Sequence, residues 1–394
     1  MKKIINVLKN NDFILPNYDN PNIVDLMRAV YFKYNVKVEK NKNVEMFSNI
    51  IPNNKHTLFI LSDGTGSNLI NKLNDNSILK NNKKIDMITV FPSTTACVLT
   101  SLVTAEFPEI HGIWGWFNYD RSLDLNYYPL LYCDRKNNVN LFDYGIQPNQ
   151  IYQQKSLLNR LQTKVNVIFP SYINDSTYSD FVINKENRYS YNNFDDIVNF
   201  MKNNCNNENS SYTYLYLPDI DTLEHENGID SKIVYDKLQE IDDLVKKISQ
   251  NKDLTIIFTA DHGQTNISKD IILDFKKYEN MFYAFPSIDF GTVCYYIKKG
   301  YKKKFINTFK NDYGKDMYLF KTKDFINNNF FGVGKFSDYA LNNLGEYISF
   351  CRNGVYLIND KNIGEYLGKI KGNHSGLSSN EMIIPLIVID TNKI

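Results

Sequence analysis

Six short apolar, β-branched runs punctuate the chain: His56 to Ser62, Ile85 to Phe91, Lys164 to Phe169, Tyr212 to Leu217, Leu254 to Ala260 and Met382 to Ile389. Their length and their polar boundaries mark them as buried strands. Between them, over Leu99 to Phe107 and Lys232 to Ile248, apolar residues return every three or four positions, which is the period of a helix. Strands alternating with helices predict an α/β fold, with a mostly parallel central sheet covered by helices on both faces.

The pattern changes twice. Residues 1 to 56 form a helical preface expected to pack on the core, and residues 285 to 371 turn to short strands, lysine clusters and Asn-rich loops, expected to form a small α+β insertion. The catalytic core is then expected over 57 to 284 and 372 to 394.

Open parallel sheets bind ligands beyond the carboxyl ends of their strands. Polar residues of catalytic type stand at those ends: Asp63 closes TLFILSDG, Thr94 and Thr95 close MITVFPSTT, Asp219 and Asp221 close YLYLPDID, and Asp261 and His262 close TIIFTADHG. Asp221 and His225 are four residues apart, a spacing that places both on one face of a helix and lets them share a metal. A surface Asp and His on a solvated turn would show the same spacing. Asp261 and His262 offer two adjacent ligands where Gly263 lets the chain turn, and His374 lies between Gly372 and Gly376 in a tight loop. His56 and His111 fit packing roles, so the other three histidines and three of the aspartates have the composition of a two-metal site. Thr95 follows a strand and precedes a helix, where helix-terminal N–H groups favour a bound anion. Ser93, Thr94 or Thr95 as a plain helix cap is the simpler alternative.

Composition narrows the partners. Lys+Arg 45 against Asp+Glu 44 leaves a formal net charge of +1, so no global field draws the chain to an extended nucleic-acid surface or an anionic membrane. The longest apolar run is too short to span a bilayer, and the first residues lack an apolar stretch of signal-peptide length. Five scattered cysteines without a CxxC pair argue against a disulfide framework and a thiolate zinc site. A cytoplasmic setting is the expectation.

FPSTTACVLTSLVTAEFPEIHGI, PDIDTLEHENG, TADHG and GNHSG with the following EMIIPLIV resemble, in order, the nucleophile, metal-ligand and closing segments of the type I phosphodiesterase/nucleotide pyrophosphatase branch of the alkaline phosphatase superfamily. The resemblance implies a nucleophilic Thr95, one metal held by Asp221, His225 and His374, and a second held by Asp63, Asp261, His262 and the Thr95 oxygen. Asp219 is excluded because the matched spacing selects Asp221. It also implies two divalent ions, zinc with manganese as the alternative, acting on a small phosphate-ester or nucleotide substrate through a covalent threonine intermediate. At Val98 the chain lacks the asparagine that the resemblance implies as a phosphate donor, which leaves Asn68, Thr94 or a backbone N–H to serve, or implies a different specificity. Trp114 and Trp116 in WGWFNYDR are candidates for stacking a nucleobase, with a buried core cluster the more common use of such aromatics. A phosphomonoesterase or phosphonate hydrolase would use the same ligands, and a non-enzymatic component of an assembly is the rival of a different class.

Overall fold

A computed structural model describes residues 2–11, 13–360 and 363–394. Its centre is a seven-stranded sheet built from β1 (His56–Ser62), β2 (Lys83–Ile88), β3 (Lys164–Pro170), β4 (Arg188–Tyr191), β5 (Ser211–Leu217), β6 (Leu254–Thr259) and the last strand, β10 (Ile383–Asp390), in the spatial order β2-β10-β6-β1-β5-β3-β4. The pairs β1–β5, β1–β6, β3–β5 and β3–β4 are parallel, and β10 runs antiparallel to both of its neighbours. Six of the seven strands fall within a few residues of the predicted runs. The seventh, β4, has only four residues on the sheet edge, too few for its pattern to stand out.

Every residue of β1 and β5 is buried, because helices cover both faces. On one face α2 (Ile23–Lys33), α3 (Lys42–Ile50) and α4 (Thr95–Thr104) bury Met27, Val30, Phe47 and Leu102 against Phe59, Tyr212 and Tyr214. On the other, α5 (Phe194–Cys205) and α7 (Lys232–Ile248) bury Ile197, Leu238, Ile241 and Val245 against Leu58, Leu215 and Ile256. Each such side chain contributes about 1.5–3 kcal/mol relative to exposure. Helix α7 starts where Ser231 accepts the Val234 N–H, so its predicted boundaries rest on a cap as well as on periodicity.

The first helix, α1 (Lys2–Lys9), goes elsewhere. Its Ile4 and Leu8 join Phe320, Phe325 and Phe350 in a separate core. Those phenylalanines belong to the stretch after residue 285, where the two-residue strand Ser287–Ile288, β7 (Thr292–Tyr295), β9 (Tyr347–Cys351) and β8 (Met317–Lys321) form an antiparallel sheet in that spatial order. That sheet is bridged to the rest of the chain from Ile288 to Phe117, and beyond its strand β9 the segment Val355–Ile358 pairs in parallel with Lys269–Ile272 in a separate two-stranded sheet. Among the described residues no helix is long and apolar enough to cross a membrane.

Candidate metal centre

Adjacency of β5, β1 and β6 brings three carboxylates to one edge. Asp63 follows β1 and its N–H donates to Leu217 O at 2.8 Å, while the Asp221 N–H donates to Asp63 O at 3.1 Å. Gly64 makes this approach possible: its φ is +74°, and a Cβ there would lie 2.8 Å from the Asp221 Cα. After β5 the chain enters α6 (Asp219–Asn227), whose turn places His225 Nε2 3.5 Å from Asp221 Oδ1. Beyond β6, the Asp261 carboxylate accepts the N–H groups of Gly64 and His262 at 3.1 and 2.8 Å. Gly263 must lack a side chain, since a Cβ would sit 2.2 Å from Asn380 O.

His374 arrives from the far end of the chain. The strand pair Gly372–Asn373 and Thr265–Asn266 carries it in, and its Nε2 lies 3.8 Å from Asp221 Oδ1. Its ring stacks on His262, with centroids 3.9 Å apart.

All three imidazoles are held alike. Nδ1 faces a backbone carbonyl in each: Gly372 O at 2.8 Å for His225, Gly263 O at 3.3 Å for His262 and Ser93 O at 3.1 Å for His374. A proton on Nδ1 leaves the Nε2 lone pair free, the arrangement that metal-ligating histidines adopt. His262 Nε2 lies 3.6 Å from Asp63 Oδ1 and 3.3 Å from Asp261 Oδ2. Those two oxygens are buried and have no hydrogen-bond partner. Two unpaired carboxylate oxygens inside a protein are costly unless a cation joins them, so the donor set fits metal ions. Two groups of closely spaced ligand atoms result, Asp63 with Asp261 and His262, and Asp221 with His262 and His374.

Without cations the electrostatics are adverse. Burial pushes the Asp63 carboxyl well above its ordinary value, and the charges of Asp261 and Asp221 push it further. Asp261 is raised by burial too. His374 is held well below the usual histidine value by burial and then by His262 and His225.

Thr95 begins α4, half-buried, and its Oγ1 donates to His262 Nε2 at 3.1 Å. Neither Thr95 nor Thr94 caps the helix by its side chain. The Thr94 hydroxyl donates instead to Asp289 Oδ2 at 2.7 Å. The structure thus brings Thr95, Asp63, Asp221, His225, Asp261, His262 and His374 together, while Asp219 faces Lys237 at 3.9 Å.

Two readings of the substrate-binding residues need correction. Trp114 is 0% exposed and packs edge-on against Phe331 at 5.0 Å, so it has no free face for a nucleobase. Val98 is fully buried one turn into α4, so a donor at that position would point into the core rather than at the site. Trp116 is half-buried at the edge of a cluster with Tyr128 and Phe290. Asn68 lies at the start of the helix Ser67–Lys72, with a buried Oδ1 that has no partner.

Four further residues carry no local sequence signal. Gln264 Nε2 donates to Asp221 O at 3.0 Å and to Asp221 Oδ1 at 2.5 Å. Tyr216 donates its hydroxyl to Asp63 Oδ2. Asp289 meets Thr94 across 195 residues of chain. Tyr172 is 75% exposed just beyond β3, which runs parallel to β5, so it lies at the same edge of the sheet as Asp219 and Asp221.

Residues 57–286 match the family described as type I phosphodiesterase / nucleotide pyrophosphatase. Ectonucleotide pyrophosphatase/phosphodiesterase family member 7 of Mus musculus is 26% identical over 134 residues, 31% of this chain and 30% of that protein. The chain thus matches under a third of that relative's length. Among solved structures, murine ectonucleotide pyrophosphatase/phosphodiesterase 5 superposes with a TM-score of 0.61 at 17% identity, over 84% of this chain and 87% of its own. The human protein gives 0.62 at 17% identity, again over 84% and 87%. An inactive variant of the murine protein, in complex with AMP, gives 0.59 at 16% identity over the same shares. Likeness at these identities is likeness of fold.

Proposed function

This chain belongs to the type I phosphodiesterase/nucleotide pyrophosphatase family within the alkaline phosphatase superfamily, and from that premise we propose that it is a two-metal phosphodiesterase or nucleotide pyrophosphatase with Thr95 as nucleophile. The observation that carries the reading is the convergence of Asp63 Oδ1 and Asp261 Oδ2, both unpaired, on His262 Nε2 beside the Thr95 hydroxyl.

Asp221, His225 and His374 would hold one divalent ion, and Asp63, Asp261, His262 and Thr95 Oγ1 the other, with zinc favoured by the imidazoles and manganese tolerated. When bound, the pair supplies Lewis-acid stabilisation of negative charge on the attacking, leaving and phosphoryl oxygens. Thr95 Oγ1 would attack phosphorus as its hydroxyl proton passes to water, the new O–P bond forming as the bond to the leaving alcohol or phosphate breaks and the leaving oxygen is protonated by water, and a threonyl phosphoester would remain. Water then displaces Thr95 Oγ1, which regains a proton, and two inversions at phosphorus amount to retention. The chain's own part is placement. The three backbone carbonyls under the histidines fix their tautomers, and Thr95 opens α4, where the first helical N–H groups lack partners and favour an anion. Tyr172 and Trp116 are the aromatic groups left to meet a base, and the AMP complex of the murine neighbour makes a nucleotide the first substrate class to try.

Turnover of bis(para-nitrophenyl) phosphate and of thymidine monophosphate para-nitrophenyl ester, measured with zinc, with manganese and after chelation, tests this reading. Metal-dependent hydrolysis lost in Thr95→Ala supports it, and wild-type turnover in Thr95→Ala removes the nucleophile.

A further inference from the structure

The stretch after residue 285 reaches the nucleophile turn through Asp289, which the chemistry above does not use. Asp289 is 6% exposed. Its Oδ2 accepts from Thr94 Oγ1 at 2.7 Å and its Oδ1 from the Phe290 N–H at 2.8 Å. With both oxygens serving as acceptors, the carboxyl is set up as a carboxylate. Burial raises its pKa, and the bonds from Thr94 and Phe290, then His225 and His262, oppose that rise.

The backbone around Asp289 is fixed on two sides. Asn359 Nδ2 donates to the Asp289 carbonyl at 2.9 Å, and the Asp289 N–H donates to Thr292 O at 2.9 Å. Thr292 is fastened to Ser375, N–H to Oγ at 3.1 Å and Oγ1 to the carbonyl at 2.5 Å. A Cβ on Gly291 would lie 2.4 Å from His374 O, so this turn presses directly on the loop that carries the last histidine. Asp289 therefore stands between the turn bearing Thr95 and the loop bearing His374.

Charge balance gives that position a consequence. Among the described residues no lysine or arginine pairs with Asp63, Asp221, Asp261 or Asp289. Two dications exceed the charge of Asp63, Asp221 and Asp261, and the buried carboxyls around them, Glu224, Glu381 and Asp289, lower that excess when ionised; of these three, Asp289 is the one bonded to the residue before Thr95. A phosphodiester brings a single negative charge, whereas a monoester near neutral pH brings closer to two, because its second ionisation lies near pH 6. We propose that Asp289 is a specificity residue that disfavours phosphomonoester dianions and so sets this site toward diesters, an inference that rests on the two-metal reading above. Asp289 acts through its field, without touching the substrate, and the Thr94 hydroxyl only helps to hold it in place. At an effective dielectric near 20, a unit charge within about 12 Å shifts dianion affinity relative to monoanion affinity by roughly tenfold or more.

The test compares zinc-loaded full-length wild type, Asp289→Asn and Thr94→Val. In Asp289→Asn, kcat/KM for para-nitrophenyl phosphate relative to its bis-ester should rise about tenfold, and inorganic phosphate should bind about tenfold tighter by calorimetry. Thr94→Val breaks the contact but keeps the charge, so it should leave the ratio at the wild-type value. An unchanged ratio in Asp289→Asn, or an equal shift in Thr94→Val, overturns the proposal and leaves Asp289 as scaffolding. If wild type hydrolyses neither ester, the broader reading fails, and the phosphate titration still decides this one: tightening in Asp289→Asn supports it, and no tightening or no binding overturns it. If Asp289→Asn does not fold, wild type decides: phosphate within tenfold of dimethyl phosphate supports the proposal, and a larger preference for phosphate overturns it.

Discussion

Thr95 Oγ1 and His262 Nε2 lie 3.1 Å apart, although 167 residues separate them in the chain. The threonine comes from the turn into α4 and the histidine from the end of β6, and β10 lies between β6 and the β2 strand that leads to Thr95. A hydroxyl that converges with an imidazole nitrogen and two carboxylates on one position is placed to share a cation with them, and a cation there would lower the pKa of the hydroxyl. We expect Thr95→Ala to lower kcat by about a thousandfold or more, and Thr95→Ser to keep a measurable part of it. Circular dichroism and the melting temperature after chelation should stay near wild type in both, which separates lost chemistry from lost structure.

Metal removal should destabilise the protein. Asp63 Oδ1 and Asp261 Oδ2 are buried without partners, so cations that bind only the folded chain should raise its melting temperature, by roughly 5 °C or more at saturation. Because the Asp63 carboxyl is raised above its ordinary 3.8, the metal-free folded protein holds a proton there that the unfolded chain releases. This group's contribution to metal-free stability therefore falls as pH rises from about 4 through the raised value. Asp63→Asn removes the repulsion: the chelated variant should melt above chelated wild type at pH 7, while the gain on adding zinc shrinks. Thermal melts with and without chelator check both signs.

Gln264 and Tyr216 should tune metal affinity without touching the metal. Gln264 orients Asp221 through two bonds, and Tyr216 donates to the Asp63 oxygen that faces away from His262. We expect Gln264→Ala and Tyr216→Phe each to weaken zinc about ten- to a hundredfold, at different sites, with circular dichroism unchanged. Zinc titration by calorimetry would show one weakened site in each variant, and two unaffected sites would discard the idea.

His111 carries a separate pH signature. It is buried, its Nδ1 accepts the Ile113 N–H at 3.1 Å, its Nε2 meets Ser101 Oγ at 2.8 Å, and burial lowers its pKa from 6.5 to about 3. Its folded pKa is depressed below the unfolded one, so the unfolded chain takes up a proton first on acidification. The contribution is complete above pH 6.5 and is lost toward the folded value, at about 1.4 kcal/mol per pH unit. His111→Gln, which can repeat both hydrogen bonds, should flatten the fall of urea-unfolding free energy between pH 6 and 4.5 by roughly that slope.

The sequence by itself determined the strand runs, the mostly parallel sheet and the residues placed at its edge, because burial on both faces writes continuous apolar runs and the chemistry sits where those runs stop. Asp63, Asp221 and Asp261 were legible for that reason: β5, β1 and β6 are neighbours, and each run ends at or just before its carboxylate. Only the tertiary structure decided what side chains meet across the fold. Trp114 looked like a stacking surface in the chain but lies in a core made by Phe331, while Val98 turns inward on its helix. Gln264, Tyr216, Tyr172 and Asp289 have no motif of their own. Their roles come from packing contacts that no periodicity encodes, and the Asp289 bond to Thr94 exists because a turn after residue 285 folds back between two loops of the site.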